Sequence, residues 1–262
     1  MATFRGQEFP GIVVSRKNYK ERDMLVRIYT GKFGFKTFFV RGARRKGFKN
    51  SAAILPFTYG TYVGDISEEG LSFITSVTGT KQYQRPAQDI MSNAYAAYIL
   101  ELADVAFRDD DQLAIQWFPL IKKVLDKIDD GLDPAVMANI VEVKLLRCFG
   151  VAPELQRCVI CQRNDLPCDF SESYGGLLCQ RHWHLDPNRM HLNARTVYFL
   201  SLFDRIDINQ IRSIKVKEIT KVSLRKTLDQ IYYDMVGVYV RAKRFIDRLN
   251  RSHLKPLKPR KK

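Results

Sequence analysis

The sequence predicts an α+β fold in which a small five-stranded barrel at the N-terminus is followed by an all-α helical domain carrying a cysteine-rich insert. Three observations predict it. Residues 11–80 are short β-branched and aromatic runs separated by Gly, Asn and Asp, which is strand patterning. From Arg85-Pro86 onward the apolar residues recur at helical spacing. Between residues 157 and 184, RCVICQRNDLPCDFSESYGGLLCQRHWH gathers four of the five cysteines and two of the four histidines.

Five strand runs fall at residues 11–16, 23–29, 36–41, 57–65 and 71–78. In the second, Met24, Val26 and Ile28 alternate with Leu25, Arg27 and Tyr29, the period of a half-buried strand. Gly31, Gly34, Gly60 and Gly64 stand where bends or bulges are needed. An open antiparallel sheet of this size would leave its edge strands unpaired, and closure into a five-stranded barrel of the OB type removes them.

Helices are predicted over residues 90–105, through Ile90, Ala94, Tyr98, Leu102 and Val105, and over 111–129, with Asp130-Gly131 as the stop. Asp133-Pro134 reads as an N-cap with Pro at the first helical position, opening a helix that ends at Phe149-Gly150. After the insert, helices resume over 193–206 and 223–250. The second is expected to be one long helix, with Leu224, Leu228, Ile231, Met235, Val238, Ala242, Phe245 and Leu249 along one face. The domains expected are a nucleic-acid-binding barrel over residues 1–82, a helical domain over 83–250 with the insert at about 153–190, and a basic tail over 251–262. The tail HLKPLKPRKK has no packable stripe and is expected to be disordered.

The chain carries 43 Lys and Arg against 28 Asp and Glu, a formal charge of +15 that points to a polyanion, nucleic acid first and anionic membrane second. The charge is segregated. Residues 1–50 hold thirteen basic and three acidic groups, residues 241–262 ten and one, and residues 87–147 reverse the balance with six and eleven. No apolar run of about eighteen residues marks a membrane span, and no export signal opens the chain. A soluble, cytoplasmic protein without a membrane partner is expected, in a compartment where clustered cysteines hold metal rather than form bridges.

Two elements carry candidate chemistry. Between the third and fourth strands, VRGARRKGFKN places Arg41, Arg44, Arg45, Lys46 and Lys49 within nine residues, with Gly42 and Gly47 letting the backbone come close. Such a loop neutralises phosphates and releases counterions, which gives affinity without sequence readout. Aromatic residues crowd nearby at Phe33, Phe35, Phe38, Phe39, Phe48, Phe57, Tyr59 and Tyr62. Most belong in the core, and Phe48, lying in the loop itself, is the one expected to stack on a base.

In the insert, Cys158 and Cys161 are spaced by two residues, as are Cys179 and His182. Two such pairs can converge on one tetrahedral Zn2+ and leave no position open for water. Cys168 and His184 are alternative ligands that break the two-residue spacing, and Cys148 reads as a small buried hydrophobe. A redox pair would need a different context, since this CxxC follows a helix and a loop. The zinc-deaminase arrangement is excluded because every histidine lies after the first cysteine pair.

The opening GIVVSRKNYKERDMLVRIYTGKFGFKTFFVRGARR, then ILPFTYG, LLRCFGVAPELQRCVIC and GGLLCQRH, in this order along nearly the whole chain, resembles the RecO family of bacterial recombination mediators. The resemblance implies an N-terminal OB-fold and a helical body with a zinc-ribbon-like insert. It implies binding of single- and double-stranded DNA, annealing of complementary strands, and partnership with RecR and with the C-terminal tail of single-stranded DNA-binding protein. It also implies assistance to RecA loading, at the nucleoid. Cys158, Cys161 and Cys179 fall where relatives carry zinc-binding cysteines, and His182 stands where a fourth cysteine is common. Arg41, Arg44, Arg45 and Lys46 match the basic loop of the family's barrel. Some relatives lack the cysteine cluster, which makes the metal a support for the fold rather than a reagent.

The expected function is therefore a non-catalytic DNA-binding mediator, with the acidic helical middle left free for protein contacts. A metal-dependent nuclease would use His182, His184 and His191 with Asp186 and Asn188 in HWHLDPNRMH. A zinc-containing RNA-binding protein is the third reading.

Overall fold

A computed structural model describes residues 3–253; the expected disordered tail lies almost wholly outside the described residues. The chain divides into two compact units. One runs to Gly131 and resumes at Val240, and the other spans Leu132–Tyr239.

The first unit opens with β1 (Thr3–Tyr19), β2 (Asp23–Thr30), β3 (Gly34–Val40), β4 (Thr58–Ser67) and β5 (Leu71–Gln82), closed into a barrel in the order β1-β2-β3-β5-β4. The expected OB-type closure is present, but not every pair is antiparallel. Five strands cannot alternate direction around a closed ring, so one neighbouring pair must run parallel, and β3 and β5 do so through Thr37↔Leu71, Phe38↔Ser72 and Phe39↔Phe73. Every second residue of β4 is buried, from Thr58 to Ile66, as the two-residue period requires. Phe9, Val26, Ile28, Phe38, Tyr62 and Ile66 fill the interior. Phe9 stacks between Phe38 at 5.5 Å and Tyr62 at 6.1 Å, and the Tyr62 hydroxyl donates to the Ala53 carbonyl oxygen at 2.8 Å. A methyl on Gly64 would lie 2.2 Å from the Phe73 carbonyl oxygen, so this bulged position of β4 admits only glycine.

A short helix α1 (Gln84–Gln88) leads into α2 (Ile90–Ala106) and α3 (Asp111–Asp129). Asp89 caps α2 by accepting from the Ser92 N–H at 2.7 Å, and Asp110 caps α3 by accepting from Leu113 N–H at 2.8 Å. These helices cover part of the barrel's outer face. Tyr29 stacks on Phe35 at 4.0 Å, meets Phe118 of α3 edge-on at 5.1 Å, and donates to the Ala114 carbonyl oxygen at 2.6 Å. The acidic middle is not all free for partners, because Asp104 holds Arg27 at 2.6 Å and Asp111 holds Lys36 at 2.7 Å.

In the second unit, α4 (Pro134–Leu145) is capped by Asp133 and continues as a 3-10 turn through Phe149. Met137, Ile140, Val141 and Leu145 are fully buried. The insert forms a three-stranded sheet ordered β6 (Glu154–Cys158), β8 (Gly176–Cys179), β7 (Cys168–Ser171). Two helices follow, α5 (Ala194–Arg205) and α6 (Glu218–Ile231).

The single helix expected over 223–250 is two. After α6, a π turn over Tyr232–Val236 ends at Gly237 with φ of 69°, and the chain re-enters a helix only at α7 (Arg241–His253), inside the first unit. The left-handed glycine ends the first helix, a conformation disfavoured for a residue bearing Cβ. At the start of α7, Glu101 of α2 accepts from the Arg241 and Ala242 N–H groups at 2.9 and 2.8 Å. Among the described residues no helix is long and apolar enough to cross a membrane.

Candidate nucleic-acid interface and metal centre

The basic loop leaves β3 at Arg41 and reaches β4 through a series of tight turns. Gly42 and Gly47 take positive φ, and successive N–H groups close the turns, Arg45 onto the Gly42 carbonyl at 2.9 Å and Phe48 onto the Arg45 carbonyl at 3.2 Å. The loop is tied to the β1–β2 turn. The Gly42 N–H donates to the Asp23 carboxylate at 2.8 Å, the Arg44 N–H to the Arg22 carbonyl at 3.0 Å, and Arg44 Nη1 to the Glu21 carbonyl at 3.0 Å.

Arg41, Arg44, Arg45, Lys46 and Lys49 are all exposed, and none forms an ion pair among the described residues. An unpaired guanidinium or ammonium is available to a phosphate without first leaving a carboxylate. Phe48 departs from expectation. Its ring is half-buried against the barrel core, because the turns at Gly42 and Gly47 fold the loop back onto the barrel. Docking on the β1–β2 turn also brings exposed Arg16, Lys17, Lys20 and Arg22 to the loop's end of the barrel, residues whose role the sequence did not single out. The signal was present in the run RKNYKER, which holds four cations in seven residues.

In the insert, two turns converge. Gln162 N–H donates to the Cys158 carbonyl at 2.9 Å, with Gln162 at φ of 60°, and His182 N–H donates to the Cys179 carbonyl at 2.7 Å. The ligand atoms of Cys158, Cys161, Cys179 and His182 all lie within 4.8 Å of one another. Cys161 Sγ is 3.7 Å from Cys179 Sγ, and His182 Nδ1 is 3.5 Å from Cys158 Sγ and 3.3 Å from Cys179 Sγ. A zinc tetrahedron has S–S edges of about 3.8 Å and S–N edges of about 3.6 Å, given Zn–S near 2.3 Å and Zn–N near 2.0–2.1 Å. The four residues fit that group, and all five cysteines are free of disulfide bonds.

Burial would raise the Cys158 thiol, but the N–H groups of Cys161, Cys179 and Ile160 and the His182 ring outweigh it and bring it down to about 6. The three backbone N–H groups are donors that a thiolate ligand uses, while His182 Nδ1 would turn its lone pair to the metal instead. Burial pushes the Cys179 thiol upward instead. The alternates are outside that group of four, although Cys168 packs against it. Cys168 bonds the Leu166 carbonyl at 3.3 Å, and burial pushes its thiol to about 11. His184 is exposed on a 3-10 turn, its ring 6.4 Å from that of His182. Cys148, read as a buried hydrophobe, is half-buried in the turn after α4, with its thiol raised by burial to about 11.

Gly175 and Gly176 serve the sheet. Gly175, at φ of 62°, makes the β7–β8 turn, and a methyl on Gly176 would press within 2.6 Å of the Glu154 carbonyl oxygen of β6. Around the cluster, the Trp183 indole donates to the Leu178 carbonyl at 2.9 Å beneath the Arg189 guanidinium. The carboxylate of HWHLDPNRMH is committed to structure. Asp186 is buried and accepts from the Ser171 hydroxyl and the Asn188 N–H, while His191 bonds the Pro187 carbonyl.

A closed OB-type barrel with an exposed basic loop, followed by helices and a sheet that brings three cysteines and a histidine together, defines a class of barrel-and-helix proteins with a zinc-compatible insert. Residues 2–83 match the family model described as Recombination protein O N terminal, and residues 87–244 match Recombination protein O C terminal. The chain is 53% identical over 249 residues to the DNA repair protein RecO of Ligilactobacillus salivarius, covering 95% of this chain and 96% of that one. It is 50% identical over 253 residues to that of Lactiplantibacillus plantarum, with 97% of both chains covered. It is 40% identical over 256 residues to that of Enterococcus faecalis, again with 97% of both covered. The chain belongs to the RecO family of DNA repair proteins.

Proposed function

We propose that this protein is a non-catalytic recombination mediator that binds single- and double-stranded DNA and anneals complementary strands. In this reading it acts with RecR to help RecA load onto single-stranded DNA covered by single-stranded DNA-binding protein, whose acidic C-terminal tail docks on the helical body. It works in the cytoplasm, at the nucleoid.

The observation that carries the reading is the exposed set Arg41, Arg44, Arg45, Lys46 and Lys49, without ion pairs among the described residues, on a loop anchored to the barrel. Each cation that replaces a condensed counterion reduces the repulsion between two strands, so complementary bases can meet. Annealing of this kind needs no nucleophile and no general base. One structural Zn2+ held by Cys158, Cys161, Cys179 and His182 would join the two turns of the insert and supply folding energy rather than chemistry.

The test is annealing of complementary oligonucleotides coated with single-stranded DNA-binding protein, in the absence of ATP and divalent ions. The wild-type protein is expected to anneal them and an Arg44→Ala, Arg45→Ala variant to do so poorly. Equal rates for the two would remove the loop from the mechanism, and strand cleavage on adding Mg2+ would favour a nuclease.

A further inference from the structure

We propose that Tyr19, Phe39 and Phe73 form a base-stacking strip for single-stranded DNA on the barrel's outer face. The inference rests on the DNA-binding reading and deepens it by naming where unpaired bases sit.

One side of the sheet is treated in two ways along its length. On β3, Phe35, Thr37 and Phe39 point to the same outward side, since strand residues alternate. At the Phe35 end, helix α3 covers the rings, leaving Phe35 6% exposed. At the Phe39 end Phe73 is 48% exposed and Tyr19 37%. The three rings touch in series, Tyr19 to Phe39 at 5.9 Å and Phe39 to Phe73 at 5.9 Å, with interplanar angles of 90° and 71°. Leu71, also exposed, extends the strip along β5. A continuous aromatic patch left open to water marks a binding surface more often than a chance exposure.

Charge selects the occupant. Lys20 Nζ lies 5.5 Å from the centre of the Tyr19 ring, Arg44 is bonded to the adjacent turn residue Glu21, and exposed Arg41 follows Phe39 by two residues. Cations therefore flank the Tyr19 end. The turn that precedes Leu71 carries exposed Glu69 and no cation, so that end offers phosphate no counter-charge. A single strand has this asymmetry, with charge along its backbone and uncharged rings along its other edge. Duplex DNA keeps its bases paired and offers the strip nothing to stack on. OB barrels use this same region, the β2–β3 face between the first and last hairpin turns, to hold oligonucleotides. Aromatic platforms tolerate any base, because every base has a π face.

The experiment compares a dT oligonucleotide with an abasic oligonucleotide of equal length, binding each to the full-length protein by fluorescence anisotropy at fixed salt. The wild type is expected to prefer the dT strand by about tenfold or more, the range for one or two stacked bases. Tyr19→Leu with Phe73→Leu, which keeps apolar side chains at exposed positions, should abolish that preference while leaving abasic binding and its salt dependence intact. Phe73→Trp should restore it. Equal binding of both oligonucleotides by the wild type overturns the strip alone, as does a preference retained in the double variant. A double variant that keeps the preference but changes in sedimentation assigns the patch to a protein contact and overturns the proposal too. A wild type that binds neither oligonucleotide overturns the DNA-binding reading and the strip with it.

Discussion

Arg44 latches the basic loop to the neighbouring hairpin turn, donating from Nη1 to the Glu21 carbonyl at 3.0 Å while its backbone N–H donates to the Arg22 carbonyl at the same distance. The adjacent Arg45 is exposed and makes no such bond among the described residues, so the two arginines have different work despite their adjacency. Arg45→Ala is expected to flatten the log–log salt dependence of DNA binding by about one unit, the loss of one phosphate contact. Arg44→Ala should flatten it similarly and also speed hydrogen exchange at the amides of residues 44, 45 and 48, because the latch is gone. An unchanged slope in Arg45→Ala would show that this side chain does not meet phosphate.

Metal content discriminates among the soft ligands of the insert. His182→Ala should lower the zinc affinity of the purified protein by tenfold or more, since it opens one of four corners. His184→Ala and Cys168→Ser should retain one equivalent, because neither side chain supplies an atom to the group of four. Removal of zinc with a chelator should raise hydrogen exchange at Leu178, Cys179 and Trp183 before any barrel strand, as metal binding here is folding energy for the insert. Chelator competition on the three variants checks the assignment, and wild-type zinc affinity in His182→Ala would refute it.

Much of this architecture was legible because side-chain pattern and backbone geometry coincide. The alternation in β2 and the Asp133-Pro134 cap each encode a local conformation. The spacing of the four ligands encodes two turns that meet. Other features had no local signature. Strand β1 begins at Thr3 rather than near Gly11, since Phe4, Gln7 and Glu8 pair with β4 through backbone groups that composition does not reveal. The stripe from Leu224 to Leu249 runs unbroken across Gly237, so periodicity alone joined two helices that lie in different units. Phe48 lay in a polar loop by sequence, yet the loop folds back and seats the ring on the barrel. Tyr19 and Phe73 lie far apart in sequence and join one strip only once β3 and β5 pair in parallel.

The cap on α7 is one of these non-local features, and its contribution is measurable. Both Glu101 carboxylate oxygens accept N–H groups, from Arg241 and Ala242, that have no partner within the helix. A carboxylate at a helix N-terminus also meets the positive end of the helix dipole. Glu101→Ala is expected to destabilise the first unit by about 1 kcal/mol, the usual cost of losing a cap. Glu101→Gln should recover part of it by keeping one acceptor. Urea denaturation checks the size, and hydrogen exchange should localise the loss to residues 241–245.

Acid should weaken a second cap in a defined direction. The Ser92 backbone N–H, the Ser92 hydroxyl and nearby Arg85 hold the Asp89 carboxyl below its ordinary value of 3.8, outweighing the opposing effect of burial. A group whose folded value is depressed contributes stability that is present above the unfolded value and is lost as pH falls through the folded one. The exposed position of Asp89 keeps the contribution small, because solvent screens its charge. At pH 7, Asp89→Ala should therefore cost about 1 kcal/mol, the typical value for an N-cap. That difference from the wild type should hold down to about pH 4 and shrink below it, as the wild-type carboxyl takes up a proton and its hydrogen bond to the Ser92 N–H weakens. Asp89→Asn keeps a neutral acceptor, so its stability relative to Asp89→Ala should stay nearly flat across the same range. Parallel urea titrations of the three proteins from pH 3 to pH 7 give the comparison. A wild-type advantage that grows on acidification would mean that the cap works through something other than the ionised carboxylate.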